Sequence, residues 1–136
     1  MGAFRAMSLH YPEVLEYLDR SRLLYRDEAA DPIPVPRLRV DIELRAYQRE
    51  ALDAWLDAGR RGVIELPTGA GKTYIALKAI EGLSVATLVV APTLDLVDQW
   101  RDQLERLFGV EVGVMGGGEA VLKALTVSTY DSALIR

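Results

Sequence analysis

The stretch Leu66-Pro67-Thr68-Gly69-Ala70-Gly71-Lys72-Thr73 is the most informative part of this chain, because two closely spaced glycines precede a lysine and a threonine. An apolar run, Gly62 to Leu66, comes before it, and Lys72 to Glu81 has the spacing of a helix. Gly69 and Gly71 let the backbone bend sharply and approach a phosphate closely. The loop amides and the positive N-terminal end of the helix then converge on an anion. The pattern predicts a phosphate-binding loop between a buried strand and a helix.

The side chains at the end of this loop predict a nucleotide as the ligand. Lys72 supplies a positive charge for the β- and γ-phosphates, and the Thr73 hydroxyl ligates Mg²⁺. We therefore expect ATP and Mg²⁺ as cofactors, with Lys72 and Thr73 in the catalytic role and Thr73 as the metal ligand. The other loop residues expected to bind ATP are Thr68, Gly69, Ala70 and Gly71. An ordinary glycine-rich turn is the alternative, and the flanking strand and helix disfavour it.

Composition excludes several classes of site. The 136 residues include no cysteine and one histidine, His10, so a disulfide framework and a thiolate zinc site are excluded. Half of the residues are hydrophobic, which is enough for the core of one domain. We find no membrane-spanning run and no secretory signal, and we expect a cytoplasmic protein that binds no membrane. The net charge of -4 does not by itself indicate a nucleic-acid binder.

The chain divides at a proline-rich connector, Asp31 to Pro36, because alternating prolines favour an extended backbone. We assign residues 1–36 to a short N-terminal segment, with a helix from Pro12 to Arg20, and residues 37–136 to a second domain. There, apolar spacing predicts helices at Leu44–Ala58, Lys72–Glu81 and Leu94–Phe108, and strands at Gly62–Leu66, Ala86–Ala91, Val110–Val114 and Leu125–Ser128. This alternation predicts an α/β fold, with a parallel sheet and helices on both faces.

The phosphate loop resembles the first motif of superfamily 2 helicases, which reads Thr-Gly-x-Gly-Lys-Thr and does not require the glycine that Leu66 replaces. Upstream, Leu44 to Ala51 (Leu-Arg-Ala-Tyr-Gln-Arg-Glu-Ala) resembles the adenine-recognition motif of that group. The resemblance implies that Gln48 reads the adenine edge and that Arg45 lies near the base. A Gln amide offers both a donor and an acceptor for this. The alternative is a polar residue on an amphipathic helix.

Three downstream segments resemble the motifs with which this group holds DNA. Val90 to Thr93 resembles motif Ia, which implies that Pro92 and Thr93 lie at a strand-to-helix junction where Thr93 grips a DNA phosphate. Thr126 to Tyr130 resembles motif Ic, which implies that Thr129 contacts the same strand. Gly117, in a triple-glycine run, falls where the family has a phosphate-contact loop, and a plain flexible turn explains it equally well.

Together these motifs resemble the XPB-type branch of the family, over a region from about Tyr11 to the end. The resemblance implies a partial RecA-like domain of an ATP-dependent DNA helicase or translocase, in nucleotide excision repair or transcription. It also implies sequence-independent contact with the DNA backbone, and a repair nuclease is a further candidate partner. Residues 1–30 resemble the tail of a damage-recognition region.

The family's acidic Asp-Glu box completes the Mg²⁺ site, and no such sequence follows Asp131. A second RecA-like domain, with its arginine finger, is not present either. Because phosphoryl transfer depends on positioning and charge stabilisation, we expect this chain alone to bind nucleotide weakly without hydrolysing ATP. It is then a fragment of a longer motor. Two alternatives stay open: the ATPase motor of a restriction or remodelling complex, and a non-catalytic nucleotide-binding interaction module.

Overall fold

The computed structural model describes residues 10–27 and 33–134, and the chain forms two compact units, Met1–Asp31 and Pro32–Arg136. The first unit contains helix α1 (Tyr11–Arg20), one residue longer than predicted. The segment after α1 folds back on it: the Tyr11 hydroxyl donates to the carboxylate of Asp27, and the Tyr25 hydroxyl donates to Asp19 at 2.9 Å. Within residues 10–27 and 33–134, no helix is long and apolar enough to cross a membrane.

The second unit is an α/β structure with four strands among its described residues. Its elements are α2 (Ala46–Asp57), α3 (Lys72–Leu83), β1 (Thr87–Ala91), α4 (Leu94–Phe108), β2 (Val112–Gly116), β3 (Glu119–Ala120), β4 (Leu125–Thr129) and α5 (Tyr130–Leu134). The strand order is β1-β4-β2-β3, and β4 pairs in parallel with both β1 and β2. The predicted fold class is confirmed. Of the connector, Asp31 and Pro32 lie outside the described residues, and Ile33 to Pro36 forms neither helix nor strand.

The core lies around β4, the central strand of the parallel part of the sheet. Four successive β4 residues, Leu125 to Ser128, are buried. Because neighbouring side chains of a strand point to opposite faces, both faces of β4 are covered. Leu104 of α4 and Leu77 of α3, each with no exposed surface, belong to the same apolar cluster. Both helices were predicted from the spacing of their apolar residues.

The predicted strand from Gly62 to Leu66 is wrong. These residues are not assigned to a strand, and Val63 is 94% exposed. Gly62 and Ile64 line an apolar cavity of about 440 Å³ together with residues 87–89 of β1. A strand needs a neighbour whose amides and carbonyls it can pair with. The run therefore lies beside β1 without hydrogen-bonding to it.

The sheet also departs from an all-parallel one, because β3 runs antiparallel to β2. The pairing of Gly116 with Glu119 leaves a two-residue loop, Gly117-Gly118, in which φ is +61° and +94°. Such a hairpin loop needs positive φ at both positions, which glycine adopts without strain. The triple-glycine run therefore has a structural role in a tight hairpin.

Glu81 of α3 holds the segment before α2 against the core. Its Oε1 accepts from the Val40 amide at 3.0 Å, and its carboxylate pairs with Lys78. Burial raises the pKa of Glu81, but the hydrogen bonds from Lys78 and Val40 outweigh it and leave that pKa below its usual value. A lowered pKa in the folded state stabilises the protein above the unfolded-state pKa, and this contribution is lost as the pH falls through the folded-state pKa.

We therefore expect Glu81→Gln to lower the free energy of unfolding by about 1.5–3 kcal/mol at pH 7, the usual value of a hydrogen bond to a charged group. The difference from the wild-type chain should shrink as the pH falls below about 4. Urea denaturation at pH 7 and pH 3.5 measures both values. Glu50→Gln, at an exposed position of α2, is the matched control. A Glu81 effect equal at both pH values would contradict this account.

Candidate nucleotide and nucleic-acid site

The phosphate loop leads directly into α3. Gly69 and Gly71 have φ values of +80° and +78°, in the left-handed region, and Lys72 is the first residue of the helix. The first amides of a helix have no partners within it. Those of Lys72 and Thr73 therefore belong to the helix end where an anion is stabilised. The loop has the backbone shape that the sequence predicts.

The ammonium group of Lys72 lies over the beginning of this loop. Its Nζ donates to the carbonyl oxygens of Leu66 at 2.7 Å and Pro67 at 3.2 Å. The side chain is exposed, so these bonds compete with water and are open to exchange. Phosphate oxygens carry a full negative charge and are better acceptors for an ammonium group than carbonyls. Lys72 can therefore leave the two carbonyls for a triphosphate.

Gln48 connects α2 to the phosphate loop. Only 3% of it is exposed. Its Nε2 donates to the carbonyl oxygen of Ala70 at 2.8 Å and lies 3.4 Å from that of Gly71, while its Oε1 accepts from the Arg45 amide at 2.9 Å. The side chain is thus buried and bonded to the backbone of the loop, and its role in reading adenine stays a prediction, as does the alternative of a polar residue on an amphipathic helix. The Arg45 side chain, by contrast, is exposed at the start of α2.

Gly71 is required for a second reason besides its φ. A Cβ atom at this position would lie 2.4 Å from Gln48 Nε2 and 3.2 Å from Cδ2 of Tyr74. Both distances are shorter than ordinary contacts, so a side chain here would displace Gln48 from the loop. The glycine therefore allows α2 and the loop to approach each other.

Tyr47 is a residue of this site that the sequence analysis missed. Its hydroxyl donates to the carbonyl oxygen of Ala70 at 2.9 Å, the same oxygen that Gln48 binds. Its position next to Gln48 in the Leu-Arg-x-Tyr-Gln run was the one available signal. A tyrosine in an amphipathic helix does not by itself indicate such a contact.

The residues fit ATP and Mg²⁺ through oxygen and amide groups. Thr73 is half-buried in the first turn of α3, and a hydroxyl is among the hard oxygen ligands that Mg²⁺ accepts together with phosphate oxygens. Within residues 10–27 and 33–134, no group of three or more carboxylates or histidines could hold a metal ion. The oxygens of the nucleotide's own phosphates would therefore supply most of the remaining ligands of a Mg²⁺ ion bound by Thr73. The nucleotide and metal roles of these residues stay predictions.

The expected DNA-contact residues lie at one edge of the sheet. Strands β1 and β2 flank β4 in parallel, so their carboxyl ends meet at that edge, where open α/β sheets bind ligands. Pro92 and Thr93 follow β1 and are exposed, and Thr129 ends β4. A Cβ atom at Gly116, the end of β2, would lie 3.5 Å from Thr129 Oγ1, and one at Gly117 would lie 3.5 Å from a methyl carbon of Leu94, next to Thr93. The structure thus brings the four predicted residues together.

Both threonines also cap helices. The hydroxyl of Thr93 accepts from the Leu96 amide at 3.4 Å, and that of Thr129 accepts from the Ser132 amide at 3.3 Å. Thr129 Oγ1 also donates to Ser132 Oγ at 3.0 Å. Capping alone explains why threonine is suitable at each position. Contact with DNA therefore stays a prediction for these residues.

Comparison with known proteins defines the class to which this fold and site belong. Residues 41–135 match the family model described as "Type III restriction enzyme, res subunit". The matched segment contains the phosphate loop, Gln48 and the whole sheet. The chain belongs to this family.

Within that family, the similarity of the chain is to XPB-type helicases. It is 44% identical, over all 136 residues, to the DNA 3'-5' translocase XPB2 of Sulfurisphaera tokodaii, of which it covers 31%. It is 36% identical to the putative DNA 3'-5' helicase Rad25 of Halobacterium salinarum and 34% identical to the DNA 3'-5' helicase XPB of Mycobacterium tuberculosis, in each case over 109 residues. Those alignments span 78% of the chain and 18% and 19% of the relatives. The chain spans less than a third of the length of these proteins.

Proposed function

We propose that this chain is the ATP-binding and DNA-contacting portion of an XPB-type DNA helicase or translocase that acts in DNA repair or transcription. The observation that carries the proposal is the phosphate loop, which has two glycines at positive φ and is joined to α2 through Gln48. The relatives are named as DNA 3'-5' helicases and a DNA 3'-5' translocase, and these names support the assignment to a DNA motor. A cytoplasmic location and a repair nuclease as partner are parts of the same proposal.

In this proposal the residues of the loop divide the work of holding ATP. The amides at the start of α3 and the Lys72 ammonium group bind the phosphates, and Thr73 orients a Mg²⁺ ion that screens their charge. Gln48 and Arg45 contact the base. Since the described residues include no acidic cluster to complete the metal site, we propose that this chain by itself binds ATP without efficient turnover.

Thermal unfolding of the purified chain with different phosphates tests the ATP site. We expect ATP with Mg²⁺ to raise the melting temperature, because a ligand at 100 times its Kd stabilises the folded state by about 2.7 kcal/mol. Tripolyphosphate should also raise it, whereas AMP at the same concentration should not, since AMP lacks the β- and γ-phosphates that the loop would bind. Equal shifts with ATP and AMP, or no shift with millimolar ATP, would exclude the proposed site.

The DNA part of the proposal rests on the sheet edge that carries Thr93, Gly117 and Thr129. Fluorescence anisotropy with two labelled DNAs of unrelated sequence should give similar affinities that fall as the salt concentration rises, as expected for backbone contacts. Thr129→Val keeps the side-chain volume and removes the hydroxyl, and it should weaken both complexes equally. Binding of one sequence only, or binding insensitive to Thr129→Val, would contradict this part.

The restriction-motor alternative draws on one observation, the description of the matched family. The relatives favour the helicase instead, because the three compared above are named as XPB or Rad25 proteins. The two motors share the ATP site, so the experiments above do not separate them. Duplex cleavage by the complete gene product would favour the restriction motor.

A further inference from the structure

Two adjacent side chains of α2 donate to one carbonyl oxygen of the phosphate loop. Tyr47 Oη lies 2.9 Å and Gln48 Nε2 lies 2.8 Å from the oxygen of Ala70. A carbonyl oxygen has two lone pairs and can accept both bonds at once. The tip of the loop is therefore held twice from the same helix.

The two donors differ in what else they can do. Gln48 is buried and has a second polar atom, Oε1, bonded to the Arg45 amide, and a second carbonyl, that of Gly71, near its Nε2. Tyr47 is 37% exposed, and its hydroxyl donates to the Ala70 oxygen. If the Gln48 side chain turns towards a nucleotide base, its Nε2 moves away from Ala70. The Ala70 oxygen would then lose a partner at the moment when the loop must be rigid.

We propose that Tyr47 is a positioning residue that holds the Ala70 carbonyl, and with it the phosphate loop, while the Gln48 amide transfers from the loop to the base. This inference rests on the proposed ATP site and deepens it. Tyr47 does not contact the nucleotide. Its bond keeps the half-buried Ala70 carbonyl oxygen paired with a protein donor when Gln48 leaves it.

The first measurement concerns the loop without nucleotide. Tyr47→Phe removes the hydroxyl and keeps the ring, and amide hydrogen exchange of the whole chain reports how often the loop opens. We expect residues 68–73 to exchange about fivefold faster in Tyr47→Phe, the factor that the loss of one neutral hydrogen bond produces. Tyr17→Phe, at an exposed position of α1, is the control and should leave this exchange unchanged. Unchanged exchange in Tyr47→Phe overturns the inference whatever the nucleotide result.

The second measurement concerns the base. We compare the Kd values of ATP, GTP and tripolyphosphate, by calorimetry, for the wild-type chain, Tyr47→Phe, Gln48→Ala and the double variant. In Tyr47→Phe the Gln48 amide stays bonded to Ala70, so the preference for ATP over GTP should fall about fivefold. Gln48→Ala should abolish the preference, and adding Tyr47→Phe should then weaken all three ligands equally.

The outcomes separate the two proposals. If Tyr47→Phe weakens ATP, GTP and tripolyphosphate by one common factor, Tyr47 has a merely structural role and the transfer of Gln48 is excluded. If the wild-type chain binds none of the three ligands, the proposed ATP site fails. In that case the transfer fails with it, and faster exchange in Tyr47→Phe would still show that the hydroxyl restrains the loop.

Discussion

Replacing Gly113 with alanine will lower the free energy of unfolding by about 3–5 kcal/mol. Gly113 lies in β2, and a Cβ atom there would be 2.3 Å from the carbonyl oxygen of Val121, 2.8 Å from the amide nitrogen of Lys123 and 3.0 Å from Thr126 Oγ1. Two of these atoms belong to the backbone and cannot rotate away. The segment after β3 must therefore move off the sheet.

That movement breaks specific hydrogen bonds. The Val121 amide donates to the Val114 carbonyl at 2.9 Å, and the Lys123 amide donates to Thr126 Oγ1 at 3.1 Å. Overpacking in a core costs about 1–3 kcal/mol, and each lost hydrogen bond adds about 1 kcal/mol. The sum is a large share of the 5–15 kcal/mol that stabilises a typical domain.

Gly82→Ala is the matched control for this prediction. Gly82 lies in α3 at a negative φ, and a Cβ atom there meets nothing within 4 Å. Alanine should stabilise the helix by about 0.5–1 kcal/mol, because it loses less conformational freedom on folding than glycine does. Urea denaturation of the two variants should therefore give changes of opposite sign. A Gly113→Ala variant within 0.5 kcal/mol of the wild-type chain would contradict the structure.

The parts of the fold that depend on local signals were predictable from the sequence. Helix α4 begins and ends at the predicted residues, because Thr93 caps its N-terminus and Gly109, at φ +67°, ends it. The strands β1 and β4 were placed to within one residue for a similar reason, since β1 is a short apolar run and β4 alternates the apolar Leu125 and Val127 with polar residues. Such signals depend on neighbours along the chain, and they do not need the tertiary structure.

The parts that were missed depend on distant residues. The run from Gly62 to Leu66 has the composition of a buried strand, yet a strand is defined by its partner, and this run pairs with none of the four described strands. The antiparallel β3 is only two residues long, too short for an alternating pattern to indicate it. The tight packing at Gly113 involves residues that lie after the next turn, and a single glycine does not reveal it.

In the candidate site, too, the local features were predictable from the sequence and the contacts between distant residues were not. Two glycines, a lysine and a threonine indicated the phosphate loop from the sequence alone. The bond between Gln48 and Ala70 joins residues 22 positions apart, and the contact from Tyr47 to the same oxygen spans 23. Only the packing of α2 against the start of α3 brings these groups together. The chemistry of the loop was therefore predictable, whereas its attachment to α2 was not.

Replacing Lys72 with alanine should weaken the binding of ATP about 100-fold. In the proposed site the ammonium group contacts the β- and γ-phosphates, and hydrogen bonds to charged groups contribute about 1.5–3 kcal/mol each. Part of this gain is offset, because Lys72 must first leave the Leu66 and Pro67 carbonyls. A net loss of about 2.8 kcal/mol corresponds to two factors of ten in Kd. Titration calorimetry with ATP and Mg²⁺ measures it.

The control for Lys72 is Lys123→Ala, which removes another exposed lysine, one whose ammonium group pairs with Glu111 at 2.9 Å. Its Kd for ATP should match that of the wild-type chain. Tripolyphosphate should lose the same factor as ATP in Lys72→Ala, because the lysine contacts phosphates and leaves the base to Gln48. If Lys72→Ala weakened ATP but left tripolyphosphate unchanged, Lys72 would act on the base side of the site. The assignment of this loop to the phosphates would then be wrong, even if the chain bound ATP.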